Sequence, residues 1–129
     1  MFTLVMQCSR SGWEQVMTWP PAAISAHVGH MVKINLELRE RGELVAAEGL
    51  DVPSNAKMVK AKAGGGTIVT DGPFAESKEF LAGFWIVDVE TPQRAYDIAA
   101  AASLAPDGDG KPMYFPIEVR QVMPGPGCG

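Results

Sequence analysis

The spacing of apolar and polar residues along the chain predicts both strands and helices. Apolar residues recur every three or four positions before Gly42, which predicts a helix over residues 22–41. Thr91 has the character of an N-cap and Pro92 suits a first helical position, which predicts a second helix over residues 92–104. Alternating or continuous apolar runs predict strands at residues 2–8, 43–50, 56–63, 67–70, 81–90 and 113–123. Residues 9–21 are predicted to form a loop.

The order of these elements is strand, helix, strand, hairpin, strand, helix and strand. This is the split βαβ pattern of a ferredoxin-like α+β domain, in which two helices cover one face of an antiparallel sheet. We therefore expect one domain over residues 1–124, followed by a flexible Gly/Pro tail over residues 125–129.

The strand over residues 81–90 is apolar on both faces. Trp85, Val87 and Val89 alternate with Phe84 and Ile86, so the two groups point to opposite sides of the sheet. Two helices can cover one of these faces, and the other would remain a large apolar patch. This predicts a homodimer that packs sheet against sheet. The alternative is a monomer in which the loop of residues 9–19, with its two tryptophans, folds over the open face.

Polar residues share or border the predicted open face. Asp88 has the parity of Phe84, Glu48 ends the second strand, and Glu118 and Arg120 lie on one side of the last strand. Charged groups at such an interface must be paired or must line a wet cavity. The pattern therefore predicts a polar cleft at the dimer interface that binds a small polar molecule. The alternative for Glu118 and Arg120 is an ordinary ion pair.

Composition excludes several classes of partner. The net charge of −4 is unfavourable for nucleic acid, and Lys57, Lys60 and Lys62 form only a weak basic stripe. No apolar run approaches the roughly 20 residues of a membrane span. Cys8 and Cys128 lack disulfide or metal spacing, and the first residues lack the pattern of a signal peptide. We expect a cytoplasmic protein that binds neither nucleic acid nor membranes.

Several blocks of the sequence resemble the YCII-related family, also called the DGPF family. The blocks are LELRERGELVAAEGL, TDGPFAESKEFLAGFWIVDV, TPQRAYDIAAAASLAPDGDG and PIEVRQVM, and together they cover nearly the whole chain. The resemblance implies a dimeric α+β barrel built on the ferredoxin-like domain. It implies little about reaction, although a His–Asp pair in a cleft and an association with alternative sigma factors have both been suggested for this family.

The resemblance assigns the aspartate of the DGPF turn to Asp71, and His27 or His30 to the histidine. A His–Asp pair within hydrogen-bond reach can act as general acid and base. The alternative for Asp71 is capping of the turn, and for His27 a core position with a satisfied hydrogen bond. Two histidines at this spacing also suit a metal if Asp71 or Glu48 were a third ligand, but no metal is expected.

Charged residues after the turn are the further candidates for ligand contact. Lys78 would bind an anionic group, with Arg120 deeper in the cleft, and Glu79 would lie at the rim. His30 and Glu48 are further candidates for ligand contact. The alternative for Lys78 and Glu79 is a solvated loop with local ion pairs. The glycines at positions 64–66 lack the following residues of a phosphate loop, so no cofactor is expected. The favoured function is ligand binding or regulation, with possible sigma-factor-linked control by resemblance. The alternative is a small enzyme that uses the His–Asp pair on a small polar metabolite.

Overall fold

The computed structural model describes residues 1–72 and 79–124. Its strands and helices follow in the order β1 (Phe2–Ser9), α1 (Arg10–Val16), α2 (Pro21–Glu40), β2 (Leu44–Gly49), β3 (Lys57–Ala61), β4 (Thr67–Asp71), β5 (Glu79–Val87), α3 (Pro92–Ser103) and β6 (Ile117–Gln121). A short 3₁₀ turn, Pro53–Asn55, separates β2 from β3.

Four strands form one antiparallel sheet in the order β2-β5-β1-β6. The two central strands are β1 and β5, and each helical crossover leads to a strand that is not the nearest neighbour. This topology confirms the predicted α+β class with a ferredoxin-like antiparallel sheet. The remaining strands, β3 and β4, form a separate two-stranded hairpin.

The hydrophobic core lies between one face of the sheet and the two longer helices. Trp85, Val87 and Val89 are buried there, which confirms the predicted parity of this strand. Their neighbours on β1 are Phe2 and Leu4, which pair in register with Val87 and Trp85. The helices contribute buried residues to the same cluster, namely Ile34, Leu38, Ala95, Ile98, Ala99 and Ala102.

Close approach of the strands requires a glycine in β5. A Cβ atom on Gly83 would lie 2.9 Å from the carbonyl oxygen of Glu48, which is too short for any side chain. Next to Gly83 the register between β1 and β5 shifts by one residue, so Met6 pairs with Gly83 and Gln7 pairs with Leu81. This bulge ends the regular alternation of the sheet at that point.

Several predicted boundaries were wrong. The strand predicted over residues 81–90 is β5, Glu79–Val87, so Asp88 lies beyond its end. Residues 10–16 form helix α1 rather than a loop, because the Ser9 hydroxyl accepts a hydrogen bond from the backbone N–H of Gly12 at 3.0 Å and caps the helix. The last strand begins at Ile117 rather than at residue 113. Tyr114 has a φ of 53° and its N–H bonds to the carbonyl of Ser103, so this part of the chain is held by α3.

The part of the chain covered by the structure contains no helix with the length and apolar character needed to cross a bilayer.

Candidate functional site

The sheet face opposite the core has an apolar centre. Val5 on β1 pairs with Phe84 on β5, and Thr3 pairs with Ile86 in the adjacent row. Phe84 and Ile86 are half-buried, whereas their neighbours on the covered face are buried. The apolar residues of this face therefore remain accessible in the single subunit.

Charged residues frame that centre on both edge strands. Glu48 on β2 pairs with Phe84, and Glu118 on β6 pairs with Val5, so one row crosses the sheet from carboxylate to carboxylate. Three strand spacings of about 4.8 Å separate the two edges by about 14 Å. In the next row, Arg120 pairs with Thr3. We call Glu48, Glu118, Arg120 and the apolar residues between them the open face.

A small cavity of about 220 Å³ lies at one end of the open face. It brings Glu79 and Glu118, two residues singled out by the sequence, together with Gln7. Val5, Pro116 and Ile117 complete its lining. Glu79 reaches this position because it pairs with Ser9 beyond the bulge in β5. The arrangement can bind a small polar group through two carboxylates and an amide.

Arg120 and Glu118 form a loose ion pair. The Nε atom of Arg120 lies 3.7 Å from Oε1 of Glu118, and the side chains are 75% and 50% exposed. Exposed pairs of this kind contribute at most about 1 kcal/mol. Both charged groups therefore remain accessible to water and are held only weakly by each other.

His27 lies away from the open face, against the end of α3. Its Nδ1 atom is 3.1 Å from the carbonyl oxygen of Pro106. Because a carbonyl oxygen only accepts hydrogen bonds, Nδ1 is the protonated ring nitrogen. The ring packs edge-on against Trp19 at 5.7 Å and near Phe115 at 6.4 Å. These contacts match the structural role that was considered for His27.

His30 has a similar role one turn later on α2. Its Nε2 atom donates to the carbonyl oxygen of Ala101 at 2.8 Å, which ties α2 to α3. Each histidine thus holds a backbone carbonyl near the C-terminal end of α3.

Asp71 lies at the base of the β3–β4 hairpin and is 88% exposed. Its carboxylate accepts a hydrogen bond from Nζ of Lys57 at 2.5 Å, and this contact lowers the pKa of Asp71. Within the described residues, His27 and Asp71 bond to different partners and not to each other. Lys78, with residues 73–77 of the DGPF turn, lies outside the described residues.

The two tryptophans of residues 9–19 do not stack on the open face. Trp13 packs edge-on against Phe80 at 6.3 Å, and Trp19 packs against His27. Phe80 pairs with Cys8, and the side chain of Cys8 points to the opposite side of β1 from those of Thr3 and Val5. Among the residues that the structure covers, neither ring stacks on Phe84.

Sequence reasoning missed a larger groove of about 460 Å³ between α1 and the loop after α3. Trp19 and Asp109 both line it, and Gly108 packs so closely against Trp19 that a Cβ would lie 2.9 Å from the indole. The carboxylate of Asp107 accepts the N–H groups of Asp109 and Lys111, which lowers the pKa of Asp107. The Asp-Gly-Asp-Gly sequence at residues 107–110 indicates a turn at this place, but it does not indicate a groove.

Cys8 is a free, half-buried thiol. Burial, together with the nearby charge of Glu79, raises the pKa of Cys8, so the thiol is held in its protonated form. Across residues 1–72 and 79–124, no three His, Cys, Asp or Glu side chains come together in a manner that would hold a metal ion. Cys128 is among the residues that are not described.

Comparison with known proteins identifies a relative and a family. An uncharacterised protein of Rhizobium meliloti is 42% identical over 66 residues, which is 51% of this chain and 53% of the relative. The chain thus spans about half the length of the curated relative that it matches. The family described as the YCII-related domain matches residues 4–113, which include β2, β5 and most of β1 but not β6. The chain belongs to the YCII-related domain family.

Proposed function

We propose that this protein binds a small polar molecule on the open face, and that a second copy of the chain packs on the same face. The ligand then lies in a cleft between the two subunits. The observation that carries the proposal is the strand register, which puts Glu48 and Glu118 at opposite ends of the row that contains Phe84 and Val5. An apolar floor with a few polar groups at its edge is the usual form of a small-molecule site.

Pairing of two open faces removes the apolar centre from water. Burial of apolar surface stabilises an interface by about 25 cal/mol per Å². The carboxylates at the edges retain access to water or to a ligand, so they avoid the cost of burying an unpaired charge. Glu79, Glu118 and Gln7 already line a cavity in the single subunit, and a facing subunit would enclose it.

In this proposal Lys78 contacts an anionic group of the ligand, and Arg120 also contacts the ligand. A ligand with both acidic and basic groups fits a site that contains carboxylates and a guanidinium. The sigma-factor-linked regulation implied by the family resemblance would use the same site, with ligand binding as the signal.

The acid–base alternative has no specific observation in its favour. His27 and His30 each bond to a backbone carbonyl, and Asp71 bonds to Lys57. A catalytic pair would require Asp71 to exchange its partner. We therefore place binding ahead of catalysis.

Subunit pairing is tested by sedimentation equilibrium of the Phe84→Ser variant. We expect the dimer to weaken at least tenfold, because Phe84 lies in the middle of the open face. Leu36→Ser on the exposed side of α2 is the matched control and should leave the association unchanged. Equal association constants for the wild type and both variants would contradict pairing through this face.

Ligand binding is tested with a thermal-shift panel of amino acids, polyamines and sugar phosphates. A compound that stabilises the wild type should lose most of its effect with Glu118→Gln, whereas Glu37→Gln on α2 should retain it. A compound that stabilises all three proteins equally binds elsewhere and would contradict the proposed site.

A further inference from the structure

The groove between α1 and the loop after α3 is separate from the open face. Its volume of about 460 Å³ lies within the range of known small-molecule sites. None of its lining residues belongs to a strand of the sheet, and Glu48, Phe84 and Glu118 do not line it. The groove is therefore a candidate for a second binding site, independent of the first.

The indole ring of Trp19 is held in position by its neighbours. Its backbone N–H donates to the carbonyl oxygen of Val16 at 3.1 Å. The ring packs edge-on against His27 with the ring centroids 5.7 Å apart, and a Cβ atom on Gly108 would lie 2.9 Å from Cδ1 of the indole. Trp19 is half-buried and lines the groove. The groove thus has a fixed aromatic side chain before any ligand binds.

The turn after α3 is fixed as well. The backbone N–H of Asp107 donates to the carbonyl oxygen of Lys111 at 2.8 Å, which closes the turn. His27 donates from Nδ1 to the carbonyl oxygen of Pro106 at 3.1 Å and also packs against Trp19. One histidine therefore joins the two parts of the groove lining. A site with such a fixed lining binds a ligand at a smaller entropic cost.

The charge of the groove lining is negative. It contains the carboxylates of Asp107 and Asp109 and no basic side chain. In the part of the chain that the structure describes, the Asp109 carboxylate accepts no hydrogen bond and forms no ion pair. Lys111 interacts with the charge of Asp107 but does not line the groove. A carboxylate without a partner next to an indole favours a positively charged ligand, because both groups attract cations.

Apolar side chains next to Trp19 indicate which kind of cation fits. Pro20, Pro112 and Met113 also line the groove. A bare Ca²⁺ ion takes about six to eight oxygen ligands, and no metal-holding group of three acidic, histidine or cysteine side chains occurs among the described residues. An organic cation uses both kinds of lining, since its charged group can contact the carboxylate while its hydrocarbon part contacts the apolar side chains.

We propose that this groove binds a small organic cation, with the ammonium group against Asp109 and Trp19 and the hydrocarbon part against Met113. All the lining residues come from one subunit, so the site does not require a second copy of the chain. The proposal therefore stands apart from the ligand cleft proposed for the open face.

The experiment is a titration with tert-butylammonium chloride at constant ionic strength, followed by NMR of the indole N–H resonances of the three tryptophans. Trp19→Phe identifies the resonance of Trp19. The matched neutral probe is tert-butanol, which has nearly the same shape and no charge. We expect a saturable shift of the Trp19 resonance with the ammonium salt and only a small shift with the alcohol. The absence of a saturable shift up to about 50 mM of the salt would overturn the proposal.

Variants of the wild-type chain locate the bound cation. Asp109→Asn removes the charge at a side chain without a hydrogen-bond partner and should raise the dissociation constant for tert-butylammonium at least about threefold. The matched control is Asp97→Asn on the exposed side of α3, outside the groove, which should leave the constant unchanged. Equal constants for the wild type and Asp109→Asn would show that the groove is not the site.

A third variant separates this site from the open face. Glu118→Gln should leave binding of tert-butylammonium unchanged, because Glu118 lies outside the groove. If Glu118→Gln weakens binding and Asp109→Asn does not, the cation binds at the open face. That result would overturn the inference about the groove and leave the proposed function in place.

Discussion

The two faces of the sheet use the same four strands in opposite ways. On the covered face, Leu4, Trp85 and Val87 are buried against α2 and α3. On the open face, Val5, Phe84 and Ile86 alternate with them and remain partly accessible, between carboxylates on the edge strands. The covered face thus contributes most of the buried core, whereas the open face leaves apolar and charged side chains partly accessible to water.

Truncation of one residue from each face should separate these roles most clearly. Leu4→Ala should lower the free energy of unfolding by about 2–5 kcal/mol, because it leaves a cavity at a position with 0% exposure. Val5→Ala should cost the subunit less than about 1 kcal/mol. Denaturant unfolding at a concentration where the protein is monomeric measures both. Equal losses would mean that the two faces are equally packed within the subunit.

A hydrogen bond on the covered face of the sheet should contribute more to stability than one at an exposed site. The Nε1 atom of Trp85 donates to Oδ1 of Asn35 at 2.7 Å, which joins β5 to α2. Asn35→Ala leaves the buried indole N–H without its partner and should cost about 1–3 kcal/mol. Asn55→Ala removes a comparable bond to Asp51 at an exposed site and should cost less than half as much. A larger loss at Asn55, again by denaturant unfolding, would contradict the comparison.

The ion pairs Arg94–Glu43 and Arg120–Glu118 should also differ in their contribution to the free energy of unfolding, but by a smaller amount. Arg94 on α3 holds Glu43 through two hydrogen bonds of 2.8 and 2.9 Å, whereas Arg120 approaches Glu118 only to 3.7 Å. Glu43→Gln should cost about 1 kcal/mol at neutral pH, and Glu118→Gln should have little effect on the subunit.

The stabilisation that Glu43 provides should decrease as the pH falls. The hydrogen bond from Arg94 lowers the pKa of Glu43 below its usual 4.5, so the stabilisation is complete above that value and is lost as the pH falls toward the lowered pKa. The difference in unfolding free energy between wild type and Glu43→Gln should therefore shrink on acidification. A difference that grows at acid pH would show that another group accounts for it.

The candidate site was predictable from sequence only where strand alternation applies. Glu48, Glu118 and Arg120 fall on the open face because their strand positions fix their side. Alternation carries no information about distance between loops and helices. The sequence therefore did not indicate that His27 bonds to Pro106, 79 residues away, or that Asp71 bonds to Lys57 across a hairpin.

The sequence by itself determined the order of the main elements and the face to which each strand residue points, since both follow from local periodicity and from Pro and Gly signals. Tertiary structure decided the partners of the polar side chains, because the hydrogen bonds that His27 and Arg94 donate and that Asp71 accepts depend on which segments meet in space. It also decided that residues 10–16 become a helix, where a single serine cap and a contact with Phe80 outweigh a weak local preference.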